Sequence, residues 1–518
     1  MNKSNTRTRR GISTAAALFV SVGMLAACSP SGGTPPTASA DTNGSLTFGY
    51  FEPATSLDPQ IGTSSQDLPW LLPVYDTLFH YAEDGTVEPG LAESYDLTDT
   101  DMTLVLREGL TFHDGTPLDA AAVVANVQRG QTLPNSSVKG DLAPIVSAEA
   151  IDDLTVKLNL AAPYAPLPAV LADRAGMMIS PTAFTDGTNL EIDPVGAGAW
   201  QAVEYVPKDH LDTERFDGYW DPDQVLLENV DIKLIDDDDT RLNALRAGEV
   251  DIAQLTASQV TLAEADSSIN VRTDPALAVD QLGLNIATAP FDNPKVREAI
   301  NYAIDREALL EGVYRGTGIV AWQPFPPGYF ANDPDLEEMF PFDPDKAKDL
   351  LAEAGYPDGF SFDLKTNTQP FRVQATQAIA AMLADVGITT NIIPSEGPAL
   401  LDEFYYQQTV PLYFTPWGGR ADPSQTLDNL FGPNGLNNPA KITTPELTTL
   451  LEEGRATTDQ AARGEIFQEA SASIMNDSRM IPIMFPGVTM GVRDEVQNYS
   501  TDLTGKANFL GVSVSGNG

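Results

Sequence analysis

Residues 106–118 read LREGLTFHDGTPL, and this stretch decides the fold assignment. A strand-like apolar run ends at Leu110. The residues that follow, Phe112-His113-Asp114-Gly115, include Asp and Gly, which favour tight turns. A helical pattern begins near Pro117, since proline suits the first turn of a helix. The pattern predicts a strand, a turn and a helix, with His113 as a hydrogen-bonded turn residue rather than a ligand.

The same alternation of strand-like and helix-like segments continues along the chain. Strand-like runs occupy residues 46–50, 104–106, 156–160 and 230–234. Helical spacing of apolar residues occurs at 117–130, 239–247, 294–314, 344–354, 372–386 and 458–477. The clearest pattern is 294–314, which has Asn293 as a candidate N-cap and Gly316 just past its end. Such alternation is typical of an α/β fold.

Length and charge exclude several classes of protein. The 518 residues suffice for two or three domain-sized units. The chain carries 73 Asp and Glu against 30 Lys and Arg, a formal net charge of −43. This charge repels phosphate and no basic block offsets it, which excludes nucleic acid as a partner. The hydrophobic share of 42 % is ordinary for a globular protein, so the acidity does not indicate disorder.

The N-terminus predicts export. Residues 1–10 carry four basic residues and no acid, and the next 17 residues, 11–27, are uncharged and directly precede Cys28. The run Leu25-Ala26-Ala27-Cys28 resembles the bacterial lipobox, in which the cysteine is lipidated. We predict a signal peptide at 1–27, a flexible tether at 28–44 and a lipid anchor on Cys28, with a short transmembrane anchor as the alternative. Either the general or the twin-arginine export route is compatible with Arg9-Arg10.

The sequence lacks the common motifs for metal binding and for catalysis. Cys28 is the only cysteine, so neither an intramolecular disulfide nor a thiolate metal site is available. His80, His113 and His210 have no short spacing that would form a zinc pair, and neither a nucleophile elbow nor a phosphate loop occurs. We therefore predict no metal, no cofactor and no enzymatic activity. Two alternatives stay open, a secreted hydrolase with a carboxylate pair and a structural or chaperone-like surface lipoprotein.

Five motifs occur in order across residues 45–500 and carry a family resemblance. The stretch 106–118 comes first, and the others are PVGAGAW at 194–200, RFDGYW at 215–220, AGEVDIA at 247–253 and PFDNPKVREAINYAIDR at 290–306. Together they resemble solute-binding protein family 5, the dipeptide, oligopeptide and nickel binding proteins of ATP-binding-cassette importers. The resemblance implies a protein on the extracytoplasmic face of the cell membrane that captures a peptide or peptide-like solute for a permease.

The resemblance also implies an α/β fold of the periplasmic-binding type, a two-lobed clamshell of the large peptide-binding subclass with the ligand cleft between its lobes. The first lobe is expected at 45–277 plus 487–518 and the second at 278–486, with hinges near 279–284 and 486–488. Closure about the two chain crossings would bury the ligand. The expected partners are the ligand and the transmembrane subunits of the permease, and the protein is expected to be a monomer.

One departure from the family pattern concerns the ligand. Peptide-binding members carry a Trp-x-x-Asp stretch whose acid pairs with the peptide amine. The corresponding stretch here is WGGRADP at 417–423, which is one residue shorter and has Arg420 where the acid is expected. A guanidinium suits a carboxylate or phosphate and cannot pair with an ammonium. We predict that Arg420 binds a ligand carboxylate, and a surface ion pair with a neighbouring acid is the alternative.

Other ligand contacts are predicted on both lobes. Trp417 is flanked by glycines that permit close approach of a ligand, whereas a core position is its alternative. Asp422 precedes Pro423 and is expected to cap a helix, from which its side chain could reach a ligand cation. The remaining candidates follow the opening strand or lie in the Pro-rich loop at 321–345: Phe51, Glu52, Trp70 and Trp322. An anionic small molecule, a sugar, haem or a metal chelate is the alternative ligand.

Overall fold

The computed structural model describes residues 44–62, 65–82, 85–396, 399–400 and 402–515. The predicted signal peptide, the tether up to residue 43 and Cys28 lie outside these ranges, so those assignments stay predictions. Within the described ranges, no helix is long and apolar enough to cross a membrane.

The first of three larger sheets has seven strands and combines both ends of the chain. Its order is Ile269–Asp274, Val488–Arg493, Ile252–Gln254, Gly44–Tyr50, Leu227–Leu234, His210–Arg215 and Trp200–Val206. The opening strand is parallel to both of its neighbours, and the other pairs are antiparallel. The strand after residue 487 therefore returns to the sheet that the N-terminal strand began.

The second sheet has six strands, all from the middle of the chain. Its order is Ile319–Val320, Ile481–Phe485, Val279–Leu284, Leu412–Trp417, Phe360–Asn367 and Ile388–Ser395. The strand Phe360–Asn367 is parallel to both neighbours. A buried hydrophobic cluster that runs from Leu277 to Phe485 packs around this sheet.

The third sheet is antiparallel and has four strands, in the order Ala92–Leu97, Asp101–Leu106, Thr155–Leu160 and Ile145–Ala150. Three two-stranded pairs complete the strands: Phe79–Tyr81 with Val87–Pro89, Val496–Gln497 with Ser513–Val514, and Ser500–Thr501 with Ala507–Asn508. A separate buried cluster within residues 78–197 fills the space beside the four-stranded sheet. The structure is therefore built on several cores of α/β type.

Thirteen α-helices have both ends inside the described ranges. They are Leu68–Leu71, Ala120–Thr132, Leu167–Val170, Pro181–Asp186, Asp238–Ala247, Val260–Glu264, Pro294–Ala303, Arg306–Gly312, Pro344–Glu353, Pro370–Asp385, Pro423–Phe431, Pro445–Ala456 and Gln460–Asn476. Short 3₁₀ turns lie at Ser65–Asp67, Arg174–Gly176, Pro222–Gln224 and Pro334–Leu336, and a π-helical turn lies at Asp402–Tyr406.

The turn at Phe112-His113-Asp114-Gly115 is present as predicted, but the strand before it ends at Leu106 rather than Leu110, and the helix after it begins at Ala120 rather than near Pro117. The Phe112 N–H donates to the Thr116 carbonyl at 2.9 Å and closes the turn. The His113 N–H donates to the Gly196 carbonyl at 2.9 Å, and its Nε2 lies 3.0 Å from the Gly198 carbonyl. Burial lowers the pKa of His113 to about 4, although the Gly198 contact opposes this change. Two family motifs thus hold each other in place through a neutral histidine.

The predicted helix over 294–314 is wrong in its length, because the structure has two helices there. Asn293 caps the first helix as predicted, since its side chain accepts a hydrogen bond from the Lys295 N–H. The first helix ends at Ala303, and the Asp305 side chain then accepts from the Ala308 N–H at 2.9 Å. This second N-cap starts a new helix. Apolar spacing that continues through the break hid it from the sequence pattern.

The chain crosses between the seven-stranded and six-stranded sheets twice. One crossing occupies residues 275–278 and the other residues 486–487. The second lies where a hinge was predicted. The first lies just before the predicted 279–284, which is a strand paired on both sides rather than a crossing.

Candidate functional site

Arg420 sits in a short connection that follows an interior strand of the six-stranded sheet. The strand Leu412–Trp417 ends just before it, and the helix Pro423–Phe431 begins just after it. Gly419 has a φ of +70°, and a Cβ there would lie 2.5 Å from the Leu277 carbonyl oxygen. The glycine therefore allows two backbone segments to approach each other. The prediction from the sequence was that the glycines beside Trp417 allow a ligand to approach.

Two adjoining cavities meet at Arg420. The first, here called the narrow cavity, has a volume of about 90 Å³ and is lined by Asp141, Asp173, Arg174, Arg420 and Gln425. The second, the wide cavity, has a volume of about 540 Å³, and its lining includes Asp141, Tyr164, Asp428, Glu452 and Arg455 together with Arg420 and Gln425. Both lie between residues 137–175 and residues 420–455, so they separate the four-stranded and six-stranded parts of the molecule.

A direct contact joins the two walls beside the wide cavity. The Ala165 N–H donates to the Arg455 carbonyl at 2.7 Å. The Arg455 side chain also forms an ion pair with Asp428. This contact fixes the spacing of the walls at one end and leaves the Arg420 side open.

The guanidinium of Arg420 is exposed and forms no hydrogen bond or ion pair with any residue in the described part of the chain. Its charge acts instead on two acids of the opposite wall, Asp141 and Asp173, and favours the ionised form of each. The surface ion pair that was the alternative for Arg420 is therefore absent from the described residues. An unpaired guanidinium beside a cavity is free to bind an anionic group.

Asp173 already has a cation of its own. Its carboxylate lies 2.9 Å from Lys506 Nζ and accepts from the Arg174 N–H at 2.7 Å. Burial raises the pKa of Asp173, but Lys506, Arg420 and the hydrogen bonds outweigh it and bring the pKa to about 2. Asp173 is thus a satisfied carboxylate that fixes the position of Lys506 at the site.

Asp141 has the opposite character. It makes no hydrogen bond and no ion pair with the described residues. Burial raises the pKa of Asp141, and the attraction of Arg420 only partly opposes this. A partly buried carboxylate without a direct ion pair is stabilised by a cation that enters the cavity.

Asp422 is a buried structural residue. Its carboxylate accepts from the Ser424 N–H at 3.0 Å and caps the helix that follows, as predicted. It also lies 2.8 and 3.0 Å from Arg463 Nη2. The lone pairs of Asp422 are therefore used within the protein, and its position does not support the predicted contact with a ligand cation.

Trp417 packs between the hydrophobic cluster and the surface. Its Nε1–H donates to Thr426 Oγ1 at 3.2 Å, and the ring is partly buried against the cluster. Trp322 lies against the same cluster, with the buried Arg306 guanidinium 4.9 Å from its ring centre. Neither side chain lines the narrow or the wide cavity as the described residues define them.

The candidates near the opening strand lie in another core. Trp70 is 1 % exposed, and its Nε1–H donates to the Glu52 carbonyl at 3.0 Å. Phe51 packs against the same cluster, with the Arg241 guanidinium 5.8 Å from its ring centre. Burial, followed by the nearby Asp67, raises the pKa of Glu52. The burial of Trp70 gives no support to its predicted role as a ligand contact, because its indole is enclosed by the protein.

A third cavity, of about 380 Å³, shares Asp173 with the narrow cavity. Its wall holds a buried Asp76 that bonds to two rings. His80 Nε2 lies 2.5 Å from one carboxylate oxygen, and the Trp220 Nε1–H donates to the other at 2.8 Å. Burial lowers the pKa of His80, yet the contact with Asp76 outweighs it and raises the pKa above 6.5. The more distant Arg107 lowers the pKa and Glu88 raises it.

We expect the stability of the protein to fall as pH rises through the raised pKa of His80. The protonated ring stabilises the folded state fully below its unfolded pKa of about 6.5, and this contribution is lost when the ring deprotonates. Denaturant unfolding between pH 5.5 and 8.5 should show the decline, and His80→Gln should remove part of it. The control is the variant His210→Gln, which replaces a partly exposed histidine. An equal slope for His80→Gln and wild type would contradict this prediction.

The sequence and the structure of this chain are similar to those of known proteins. The model of bacterial extracellular solute-binding proteins, family 5 Middle, matches residues 86–438. The chain belongs to solute-binding protein family 5. The family resemblance read from the motifs is thereby confirmed, and with it solute capture as the class of function.

Alignments with family 5 relatives cover most of this chain. The glutathione-binding protein GsiB of Escherichia coli K12 is 32 % identical over 469 residues, which cover 87 % of this chain and 89 % of GsiB. DppA of Helicobacter pylori, an ABC transporter-associated periplasmic binding protein solved with the peptide STSA, is 26 % identical with a TM-score of 0.79. That alignment covers 92 % of this chain and 98 % of DppA.

A third family 5 relative was solved with a different kind of ligand. AgaA of A. tumefaciens R10, in complex with agropinic acid, is 26 % identical with a TM-score of 0.78 and covers 92 % of this chain and 99 % of its own. The two-lobed α/β clamshell predicted from the motifs is confirmed by these structures. The relatives are binding proteins, which agrees with the expectation of a binder at the level of the family.

Arg420 was predicted from the sequence as a ligand contact, and its charged neighbours were not. Asp141, Asp173 and Lys506 carry no motif, and each is an ordinary charged residue in its local sequence. Arg420 stood out in the stretch 417–423 only because the family 5 pattern has an acid at that position. The pairing of Asp173 with Lys506 joins the middle of the chain to its C-terminal strands, a contact that no local pattern indicates.

Proposed function

We propose that the protein captures a peptide or peptide-like solute by its carboxylate and delivers it to the transmembrane subunits of an ABC importer. The observation that carries this proposal is the unpaired guanidinium of Arg420 at the junction of the narrow and wide cavities. A planar guanidinium binds a carboxylate through two parallel hydrogen bonds, which fixes the orientation of the ligand as well as its charge.

The electrostatic setting favours this role for Arg420. The whole chain has a net charge of −43, so an anionic group meets an unfavourable field on approach. A local cation is needed to hold such a group. Among the cations that line these two cavities in the described part of the chain, Arg174 is paired with Asp67 and Arg455 with Asp428, which leaves Arg420 to bind the ligand.

The proposed lobes follow the sheets. Residues 45–277 with 487–518 would form the first lobe around the seven-stranded and four-stranded sheets, and 278–486 would form the second around the six-stranded sheet. The two crossings at 275–278 and 486–487 would act as hinges. Closure would press the Asp141 wall against the Arg420 wall and exclude water from the ligand.

Export and anchoring complete the proposal. Removal of residues 1–27 would leave 26 Lys and Arg against 73 acids and Cys28 as the lipidated first residue. The 16 residues after Cys28, 29–44, would span about 22 Å as a flexible chain, enough to hold the body clear of a bilayer. We propose that the protein works as an anchored monomer on the extracytoplasmic face, in contact with its permease.

The relatives support a peptide-like ligand for this chain. One relative is named for glutathione binding, and another was solved with a tetrapeptide. A non-peptide acid is the second candidate, since a relative of similar identity was solved with agropinic acid. Both classes present a carboxylate that Arg420 could bind.

We expect Arg420→Ala to weaken ligand binding by about 10- to 150-fold, because a hydrogen bond to a charged group contributes about 1.5–3 kcal/mol. Calorimetric titration of the wild type and the variant with the peptide Ser-Thr-Ser-Ala and with glutathione measures this change. The control is Arg246→Ala, which removes an exposed cation paired with Asp266 and should leave affinity unchanged. If Arg420→Ala binds these probes as tightly as wild type, carboxylate recognition by Arg420 is excluded.

A further inference from the structure

We propose that the narrow cavity recognises an α-amino-acid head group, with the ligand carboxylate on Arg420 and the ammonium of the same carbon on Asp141. This inference rests on the proposed function and narrows its substrate class. It predicts a preference for peptides that keep a free head group, such as γ-linked peptides, over linear α-peptides of the same composition.

The two charges face one small space from opposite walls. Asp141 lies between the helix Ala120–Thr132 and the strand Ile145–Ala150, whereas Arg420 follows the strand Leu412–Trp417 of the six-stranded sheet. Both line the narrow cavity and both line the wide cavity, so the pair stands where the two cavities join. They make no ion pair with each other, and a ligand group can therefore enter between them.

Size limits what can satisfy both residues at once. A volume of about 90 Å³ equals about three molecules of liquid water at roughly 30 Å³ each. An amino-acid head group carries its ammonium and carboxylate on one carbon and fits such a space. In a linear peptide the two charged termini belong to different residues, whose Cα atoms are about 3.8 Å apart even in a dipeptide. The remainder of the ligand would extend into the wide cavity.

Other acids of the two cavities are poorer partners for the ammonium. Asp173 is neutralised by Lys506 at 2.9 Å, and Asp428 is paired with Arg455. Glu452 lines the wide cavity only and is exposed to solvent. Asp141 combines partial burial with the absence of a partner among the described residues, and this makes its carboxylate the strongest site for a cation.

The acidic and the cationic residue of the pair lie on opposite walls of the narrow cavity. The cation, Arg420, follows Trp417 by three residues, and the acid, Asp141, comes from the opposite wall. A head group bound by both residues would link the two walls, so binding and closure would be coupled.

The test compares glutathione, which has a γ-linked glutamyl head group, with its linear isomer α-Glu-Cys-Gly. The two probes have the same atoms and the same net charge, and they differ in whether ammonium and carboxylate share a carbon that is free of the peptide bond. Calorimetric titration of the wild-type protein should show at least tenfold tighter binding of glutathione. Asp141→Asn should weaken glutathione by at least tenfold and should leave the linear isomer nearly unchanged.

Asp99→Asn is the matched control, since it removes one negative charge from an exposed position that lines neither cavity. It should alter glutathione affinity by less than twofold, and thermal unfolding should show that all variants remain folded. N-acetylated glutathione, which lacks the ammonium, should bind Asp141→Asn and wild type equally. Equal affinity for the two isomers, or unchanged glutathione affinity in Asp141→Asn, would overturn the inference.

The outcome also separates this inference from the proposed function. Binding of Ser-Thr-Ser-Ala that depends on Arg420, without any preference for glutathione, would retain carboxylate capture and reject the head-group site. Absence of binding of glutathione, its isomer and Ser-Thr-Ser-Ala to the wild type would reject both.

Discussion

We expect Arg463→Met to lower the free energy of unfolding by about 3–5 kcal/mol, because it removes one partner of a buried ion pair. Arg463 Nη2 lies 2.8 and 3.0 Å from the two Asp422 oxygens, and the Nε–H donates to the Gly454 carbonyl at 2.9 Å. The two side chains are 8 % and 4 % exposed. The variant would leave the Asp422 carboxylate desolvated without its counter-charge. Urea denaturation followed by circular dichroism measures the loss.

The location of this pair gives it a functional consequence. Asp422 caps the helix Pro423–Phe431, and Arg420 stands two residues before it. Loss of the pair would free the N-terminus of that helix and with it the connection that presents Arg420. We therefore expect ligand affinity to fall in the variant even at temperatures where it stays folded.

Arg246→Met is the control for the stability measurement. Arg246 forms an ion pair with Asp266 at 3.4 Å, but its side chain is 46 % exposed, and such pairs contribute about 0–1 kcal/mol. The double variant Asp422→Asn with Arg463→Met should recover part of the loss, since the uncompensated charge is gone. A single Arg463→Met variant as stable as wild type would show that the buried pair contributes nothing to folding.

Local signals in the sequence were reliable where one residue acts on its near neighbours. Asn293 and Asp422 were predicted as N-caps, and both side chains accept the expected backbone N–H. The turn around His113 was predicted from residue types alone and is present. In each case the hydrogen-bonding partner lies within a few residues, so the pattern contains the whole interaction.

Core and cleft positions could not be separated by the same means. Trp70 and Trp322 are large aromatic residues that follow regular elements, and such residues occupy cores and binding sites alike. The deciding facts are distant in the chain: Trp70 is enclosed with Tyr205, and Trp322 packs on Arg306. A sequence pattern does not encode which distant element will cover an aromatic ring.

The residues of the candidate site were even harder to predict from the sequence. Arg420 stood out because a family pattern places an acid there, whereas Asp141 is one of 73 acids with no distinguishing neighbour. Its importance comes from its position opposite Arg420 and from the absence of an ion-pair partner for it within the described residues. Both facts depend on how the two walls are placed, which long-range packing decides.

We expect Gly196→Ala to lower the free energy of unfolding by about 3 kcal/mol, at the upper end of the range for overpacked sites. A Cβ at this position would lie 2.1 Å from the Val74 carbonyl oxygen and 2.6 Å from the ring of Tyr75. Neither neighbour can move easily. The Val74 carbonyl accepts the Gly198 N–H at 2.9 Å, and Tyr75 is 1 % exposed within the core.

The Gly196 segment is also tied from its other side. Its carbonyl accepts the His113 N–H, so a shift of residue 196 away from Val74 would strain the contact between the two family motifs. The cost of the added methyl group must therefore appear either as a clash or as lost hydrogen bonds. This physical requirement accounts for glycine in the motif PVGAGAW without reference to the ligand.

Gly312→Ala is the control for this prediction. No atom lies within 4 Å of a Cβ at Gly312, the last residue of the helix Arg306–Gly312, so alanine should be neutral there or stabilise by up to about 1 kcal/mol. Denaturant unfolding of the two variants beside wild type compares a crowded glycine with an open one. If Gly196→Ala unfolds at the same denaturant concentration as Gly312→Ala, the close packing of the two motifs does not contribute to stability and glycine at 196 needs another explanation.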